Sequence, residues 1–284
     1  MIYIIIPVFN RLKHTKKIVD QLNKQLIDQK VFIIVVNSNS SDGTSELLED
    51  FVSKGKIQKH IKVSRNFWWA RSANTGMAFL QNICSPTDFV LLLNDDVLIS
   101  RHYLRNLVDD FRILNNPKVI LCSTRVELKN GEGFIRKRFE ENNYYLNRNQ
   151  MVVEPRYIPN KRKPILSPSC TGRGMLLPGS VITNKFEINW KKFPQHLADL
   201  NFSLTLSTRG YKIYYSNKSI VYSCGVHGSD VTNYSFFKRY FSTGSGSRLL
   251  SHYFFWKDLN PGISTIRLII KFLSRSIQRK ILNF

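Results

Sequence analysis

The chain has 284 residues and is 43% hydrophobic, which suits one large core, or a main domain with an appendage, and excludes a disordered chain. Its 42 Lys and Arg against 20 Asp and Glu give a formal net charge of +22, a field that concentrates polyanions without choosing among nucleic acid, anionic lipid and phosphorylated substrates. Cys84, Cys122, Cys170 and Cys224 are too scattered for a metal site or a disulfide scaffold, and no stretch approaches the roughly 20 apolar residues of a membrane span.

Met1 to Pro7 has no basic n-region and meets a proline too early for a signal peptide, so the expectation is a cytoplasmic protein with reduced thiols. Through about residue 123, short apolar runs alternate with amphipathic stretches, the pattern of βα units on a mostly parallel sheet. Strands are expected over 2–6, 31–36, 57–63, 89–93 and 119–122, and helices over 13–26, 45–52, 70–81 and 103–114. From 127 to 163 the sequence turns charged and rich in Asn and Tyr, as expected of a long loop or small hairpin over the site. Order resumes at Leu166. A helix is expected over 198–208, stopped by Gly210 at its C′ position, followed by a strand pair at 212–215 and 219–222.

The run through Leu91-Leu92-Leu93 ends in Asn94-Asp95-Asp96, which puts an acidic pair at a strand's carboxyl edge, where open α/β sheets bind ligands. Carboxylates there suit a hard metal ion bridging a diphosphate. Pro7-Val8-Phe9-Asn10-Arg11 leaves the first strand and Asn37-Ser38-Asn39-Ser40-Ser41-Asp42-Gly43-Thr44 leaves the second. Loops of this composition offer amides and oxygens to a base and ribose. Asn66 to Gly76 opens the third helix. Its Trp68 and Trp69 either stack a base or sugar or anchor the core, and its Arg71 either pairs with a diphosphate or covers surface.

In this order the motifs resemble those of the family 2 glycosyltransferases of the GT-A fold, over roughly residues 2 to 223. Val36 to Thr44 is similar to the family's acidic second-strand loop, Asn66 to Gly76 to its N-x7-N-x-G element, Asn94 to Asp96 to its D-x-D strand end, and Asp199 to the second acid of its E-D-x-D motif. Thr171-Gly172-Arg173-Gly174 is similar to its small-residue strand on the acceptor side. The resemblance implies an α/β GT-A fold, with a catalytic domain over 1–230 (a nucleotide-sugar half, 1–123, and an acceptor half, 124–230) and a helical basic extension over 231–284. It also implies inverting transfer of a sugar from a nucleoside-diphosphate donor to a glycan or polyprenyl-linked glycan acceptor, as in surface polysaccharide synthesis. Pro7, Phe9, Asn10, Arg11, Asn37, Asn39, Asp42, Asn66, Trp69, Arg71, Asn74, Asn94 and Asp95 would then bind the donor, and Gly172, Arg173 and His196 the acceptor. Asp199 would be the general base, and Asp96, with His227 as a second ligand, would hold Mg²⁺ or Mn²⁺.

The sequence departs from the family at several of these places. Asn37 stands where an acid commonly meets the base or ribose, and Asn94 replaces the first acid of D-x-D, leaving Asp96 as principal ligand and Asp95 as the alternate, aimed at the sugar or ribose. Ala198 and Asn201 replace two acids of E-D-x-D. Ser223 stands where a histidine often ligates the metal, and His227 follows four residues on.

Ile263, Ile266, Ile270, Leu273, Ile277 and Ile281 recur at three- and four-residue steps among Arg267, Lys271, Arg275, Arg279 and Lys280, with no acid between them. Such a basic amphipathic helix over 262–284 fits an anionic membrane surface, or alternatively packs on the catalytic domain or on a second subunit as a homodimer. No single-strand or groove-reading motif is present, so no nucleic acid is expected. A nucleotidyltransferase would need a basic glycine-rich loop near the amino terminus, and 7–11 has no glycine.

Overall fold

The computed structural model describes residues 1–129, 134–136, 163–223, 235–262 and 264–266. In chain order the first half holds β1 (Ile2–Val8), α1 (Leu12–Leu22), β2 (Val31–Asn37), α2 (Thr44–Ser53), β3 (Lys59–Lys62), α3 (Trp68–Leu80), β4 (Phe89–Leu92), β5 (Val97–Ile99) and α4 (Tyr103–Leu114). The second half holds β6 (Val119–Lys129), β7 (Phe134–Arg136), β8 (Ile165–Ser167), β9 (Met175–Pro178), α5 (Ser180–Thr183), α6 (Ala198–Thr208), β10 (Lys212–Ser223), α7 (Phe236–Phe241) and α8 (Leu249–Leu259).

Among the described residues the strands form one mixed sheet in the order β3-β2-β1-β4-β9-β6-β10-β5, with β7 on the free side of β6 and β8 on β10. Strands β3, β2, β1 and β4 run parallel, β9 is inserted antiparallel between β4 and β6, and β6 and β10 resume the first direction. The run Ile2-Tyr3-Ile4-Ile5-Ile6 is apolar on both faces because helices cover both sides of the sheet. Its alternate residues divide the core. Tyr3 and Ile5 face α3, α5, α6 and α8 through Ala73, Met77, Ile182, Phe202, Leu206 and Phe255. Ile2, Ile4 and Ile6 face α1, α2 and α4 through Ile18, Leu48, Phe51, Leu104 and Leu107. Each such side chain, fully buried, contributes roughly 1.5–3 kcal/mol.

The chain steps from β1 outward to β2 and β3, then returns to the other side of β1 with β4. That reversal is a topological switch point, and the β1–β4 register ends at Ile5 opposite Leu92, so the two chains part just beyond it. The crevice opens there. Residues 7–11 and 94–96 form its two lips.

Two expectations need correction. Residues 212–215 and 219–222 are one strand, not a pair, and both halves lie parallel to β6 with a register shift between Ser216 and Ile220. Ser216 Oγ accepts from the backbone N–H of Lys218 (3.1 Å) and Ser219 (2.8 Å) and donates to the buried Asp110 carboxylate (2.6 Å), which makes a bulge of what reads as a turn. The first helix stops at Leu22 rather than reaching 26, because Asn23 Nδ2 donates to the carbonyls of Val19 and Lys56, each at 2.9 Å, and folds the chain back. The segment expected to loop over the site lies mostly outside the described residues, as do His227 and all but the first few residues of 262–284. Cys84, Cys122 and Cys170 are buried thiols, not disulfides. No helix among the described residues is long and apolar enough to cross a membrane.

Candidate active site

A cleft of about 1670 Å³ opens at the switch point. Pro7, Phe9, Asn10, Arg11, Asp42 and Asn66 line one part of it, Trp68, Trp69, Asn94, Asp95 and Asp96 its floor, and Gly172, Arg173, His196 and Asp199 the far wall. It thus collects most of the residues singled out from the sequence.

Its electrostatic centre is a group of two carboxylates and two guanidinium groups. Arg11 Nη1 lies 3.0 Å from Asp95 Oδ1 and 3.2 Å from Asp96 Oδ2. Thr15 Oγ1 donates to the other oxygen of Asp95 at 3.3 Å, and Arg173 Nη2 stands 3.9 Å from Asp96 Oδ2. Burial pushes the Asp95 carboxyl up to about 6, against the opposing pull of Arg11, while the neighbouring Asp96 charge adds to the rise. Two polar atoms here are buried without a hydrogen-bond partner, Asp96 Oδ1 and Arg173 Nη1. A buried carboxylate oxygen and a buried guanidinium N–H left unmatched by the protein are costly unless water or a ligand engages them, and their chemistry suits a cation and an anion respectively.

Asp199 sits in the first turn of α6, beside the positive end of the helix dipole. Its Oδ2 accepts from the Gly172 N–H at 2.8 Å and its Oδ1 from the Leu200 N–H at 2.9 Å. The residue before the helix, Leu197, holds φ of 64°, a left-handed conformation that a leucine adopts only when its surroundings enforce it. Glycine is required at two neighbouring positions. A Cβ on Gly172 would lie 2.5 Å from Trp69 Cζ2, and Gly174, at φ of 90°, has no room for one against Ser123 Oγ and Tyr103 Oη.

The floor is tied to the far wall through the start of α3. Trp69 donates its backbone N–H to Gln195 Oε1 and its indole N–H to Asn94 Oδ1, both at 2.9 Å, and Ala70 N–H reaches the Pro194 carbonyl at 3.0 Å. Asn94 is therefore a support for the indole, with its oxygen already engaged. Trp68 takes a positive φ of 52° and lies against Gly244, where a Cβ would stand 2.9 Å from its ring. His196 Nε2 donates to the Gly244 carbonyl at 3.1 Å, and burial lowers its pKa, so at neutral pH the ring is uncharged.

Other sequence-derived residues stand elsewhere. Asn37 is fully buried, its Oδ1 accepting from the Ser40 N–H (3.0 Å) and hydroxyl (2.7 Å) and its Nδ2 donating to Ser45 (2.8 Å); it shapes the loop from within. Asn74 clasps the backbone of Ile188 with two 2.9 Å bonds, and Arg71 lies over the rings of Phe67 and Trp190 at 3.8 and 4.5 Å. Neither these three nor Asn39 lines the cleft. Asp42 fixes the loop by accepting from the N–H groups of Leu12 (2.9 Å) and Thr44 (3.2 Å), and Asn10 Oδ1 accepts from the Ser41 N–H at 2.8 Å. Sequence reasoning missed the wall made by Ser242, Thr243, Gly244 and Gly246, together with Lys13, His14, Arg65, Arg125, Gln195 and Lys238. The small-residue run at 242–247 was its visible signal.

Among the described residues no group of three or more His, Cys, Asp or Glu could hold a metal. The cluster nevertheless fits a divalent cation of the kind that uses one or two carboxylates and takes the rest of its shell from water and phosphate, since Asp96 Oδ1 lies unpartnered beside Asp95.

Residues 3–176 match the family model described as Glycosyl transferase family 2. An uncharacterized protein, MJ0544 of Methanocaldococcus jannaschii, is 34% identical over 93 residues, 32% of this chain and 38% of that one. Among solved structures the fold is similar to S. aureus TarS 1–349 (16% identity, TM-score 0.54, 78% of this chain and 60% of that one). It is also similar to the mannosyltransferase PcManGT of Pyrobaculum calidifontis in complex with GDP-Man and Mn²⁺ (14%, 0.58, 81% and 59%). A third is GalNAc-T7 with UDP, GalNAc and Mn²⁺ (14%, 0.60, 97% and 54%). The chain thus spans a little over half the length of these solved relatives and about two fifths of the curated one. With the switch-point cleft, the mixed sheet and the matched segment in agreement, the fold is GT-A and the chain belongs to glycosyl transferase family 2.

Proposed function

We propose that the chain is an inverting hexosyl- or deoxyhexosyltransferase that moves a sugar from a nucleoside-diphosphate donor to a hydroxyl of a glycan or lipid-linked glycan, in surface polysaccharide synthesis. The observation that carries this reading is the dipeptide Gly172-Arg173. Its first residue donates to Asp199 at 2.8 Å and its second reaches to 3.9 Å from Asp96, so the acid proposed for proton removal and the acid proposed for the diphosphate end share one short stretch of wall. The names of the solved neighbours, which include TarS with UDP-GlcNAc and PcManGT with GDP-Man, support a nucleotide sugar as donor.

In this reading the base and ribose lie over Pro7, Phe9, Asn10, Asp42 and Asn66, and Arg11 and Arg173 take the diphosphate oxygens. Mg²⁺ or Mn²⁺ on Asp96, with Asp95 beside it, would supply Lewis-acid stabilisation of the leaving diphosphate. Trp69 supports the sugar, and His196 and Gly172 border the acceptor. Asp199 removes the proton of the acceptor hydroxyl as that oxygen attacks the anomeric carbon. The bond from that carbon to the diphosphate breaks on the opposite face, which inverts the configuration. Residues 1–230 carry this chemistry, and the 231–284 extension lends Ser242, Thr243, Gly244 and Gly246 to the cleft wall, on a cytoplasmic enzyme working at the inner face of the membrane.

Asp199→Asn keeps an oxygen for the Gly172 amide but cannot take a proton. The expected result is a loss of transfer of roughly 10²–10⁴-fold with nucleotide affinity unchanged, measured by single-turnover transfer and by calorimetry. Transfer at the wild-type rate would remove Asp199 as the base.

A further inference from the structure

Trp68 is held in a backbone conformation that its side chain disfavours. It pairs φ of 52° with ψ of −179°, a corner of backbone space close to the one that glycine alone populates. Its neighbours on either side are pinned. Phe67 N–H donates to the Ser64 carbonyl at 3.0 Å, Trp69 N–H to Gln195 Oε1 at 2.9 Å and Ala70 N–H to the Pro194 carbonyl at 3.0 Å. Strain of this kind persists where the surrounding structure over-determines a residue, and it gathers at ligand clamps and active sites. The ring is 38% exposed and lines the cleft, so burial of apolar surface does not account for its position.

The strained residue sets its indole against the wall lent by the carboxyl-terminal extension. A Cβ on Gly244 would stand 2.9 and 3.0 Å from Cζ3 and Cη2 of the ring, and one on Gly246 would reach the His196 imidazole at 3.6 Å. Neither glycine carries a side chain into this part of the cleft. His196 Nε2 donates to the Gly244 carbonyl at 3.1 Å, which ties the wall to the segment that bears Asp199 three residues on. Trp69 makes a matching arrangement, with Cζ2 against Gly172 and its indole N–H on Asn94. Two indoles thus stand at the start of one helix, Trp69 joined to the carboxyl end of β4 and Trp68 to the extension and His196. Ser242 and Thr243 line the cleft beside Gly244.

A broad aromatic ring with hydroxyls and an imidazole close by suits a pyranose. The C–H groups of one sugar face pack on the indole as an apolar surface, and the hydroxyls at the sugar's edge meet the polar groups. An alkyl chain would use the ring but leave those polar groups unmatched. We infer that Trp68 is the platform of the acceptor subsite, on which the pyranose bearing the attacking hydroxyl lies. The acceptor then ends in a pyranoside, not in an open-chain polyol or a lipid alcohol. The inference deepens the transferase reading and rests on it, by adding a positioning residue for the acceptor and narrowing the acceptor's chemistry.

The test is a ligand-observed NMR titration of the full chain, with Mn²⁺ and whichever of UDP, dTDP and GDP binds it. The probes are the methyl pyranosides of glucose, galactose, mannose, N-acetylglucosamine and rhamnose, with sorbitol as the open-chain polyol. The wild type is expected to bind at least one pyranoside and to bind sorbitol far more weakly. In Trp68→Gly, whose glycine takes up the backbone conformation without strain, diphosphate affinity is expected to hold while that pyranoside binds roughly tenfold more weakly. Gly244→Ala presses on the ring from a separate element and leaves residue 68 intact; it is expected to weaken the same pyranoside by roughly fivefold. Should Trp68→Gly not fold, Gly244→Ala decides by the same readout. Undiminished pyranoside binding in the folded variants would overturn the inference, and so would a wild type that binds the diphosphate but no pyranoside, or sorbitol equally well. A loss in Trp68→Gly that falls on the diphosphate, or on its glucose or mannose ester, would move the ring to the donor side and also overturn it. In each of those cases diphosphate binding by the wild type leaves the transferase reading standing, whereas its absence would overturn both.

Discussion

Arg11 bridges Asp95 and Asp96 at 3.0 and 3.2 Å, so it competes for the oxygens that a divalent cation would use. Two unit charges about 4 Å apart interact by about 4 kcal/mol at an effective dielectric of 20, enough for the loss of one positive neighbour to matter. Arg11→Met is therefore expected to raise Mn²⁺ affinity by roughly tenfold in the absence of nucleotide, measured calorimetrically at pH 8, while weakening nucleoside-diphosphate binding. Unchanged Mn²⁺ affinity would separate Arg11 from the cation position. Asp95 gives a second residue-level expectation. Its carboxyl is raised from 3.8 to about 6, so between those values the folded protein holds a proton that the unfolded chain has released. From this group, stability falls as pH rises through that window, and the penalty of the buried charge is fully present above it. In thermal melts, Asp95→Asn should gain on the wild type as pH is raised from about 4 to about 6 and hold that difference above. At this scale the sequence showed the chemistry but not the duty of each side chain. Asn37, Asn74 and Arg71 carry polar groups that suit a nucleotide, yet Asn37 is held by Ser40 and Ser45 of its own loop, and Asn74 and Arg71 by Ile188 and Trp190, more than a hundred residues on.

At the scale of elements, the close approach of α3 to β1 sets the height of the cleft floor. A Cβ at Gly76 would stand 2.5 Å from Ile5 Cγ2, on a β-branched side chain with little freedom to move. Gly76→Ala is expected to lower unfolding free energy by about 1–3 kcal/mol, read from denaturant melts, through displacement of the helix that carries Trp68 and Trp69. Stability equal to wild type would mean that the floor is softer than its packing indicates. The βα alternation of the first half was legible because its strands are long buried runs and its helices have a clear apolar stripe, as in α1 and α4. Strand β5 was not, since three residues carry no period, and the β10 bulge was hidden because Ser216-Asn217-Lys218 has the composition of a turn. What makes it a bulge is Asp110, more than a hundred residues earlier in the chain.

For the whole molecule, the two core layers and the cleft at the β1–β4 parting follow from the order in which strands add to the sheet, and that order leaves Asp96 and Asp199 on opposite sides of one opening. The family motifs made this arrangement readable, whereas the wall at 242–246 was not, because its link to the cleft is a contact between His196 and Gly244, which belong to separate elements. The central claim is that Asp96 serves a nucleoside diphosphate while Asp199 serves the chemistry. It is tested most directly by calorimetric titration of UDP, dTDP and GDP, with and without Mn²⁺, into wild type, Asp96→Ala and Asp199→Asn. The account predicts that one diphosphate binds to the wild type with a clear gain from Mn²⁺, that Asp96→Ala loses this gain, and that Asp199→Asn keeps it. Binding of no diphosphate by the wild type, or an undiminished Mn²⁺ effect in Asp96→Ala, would contradict it.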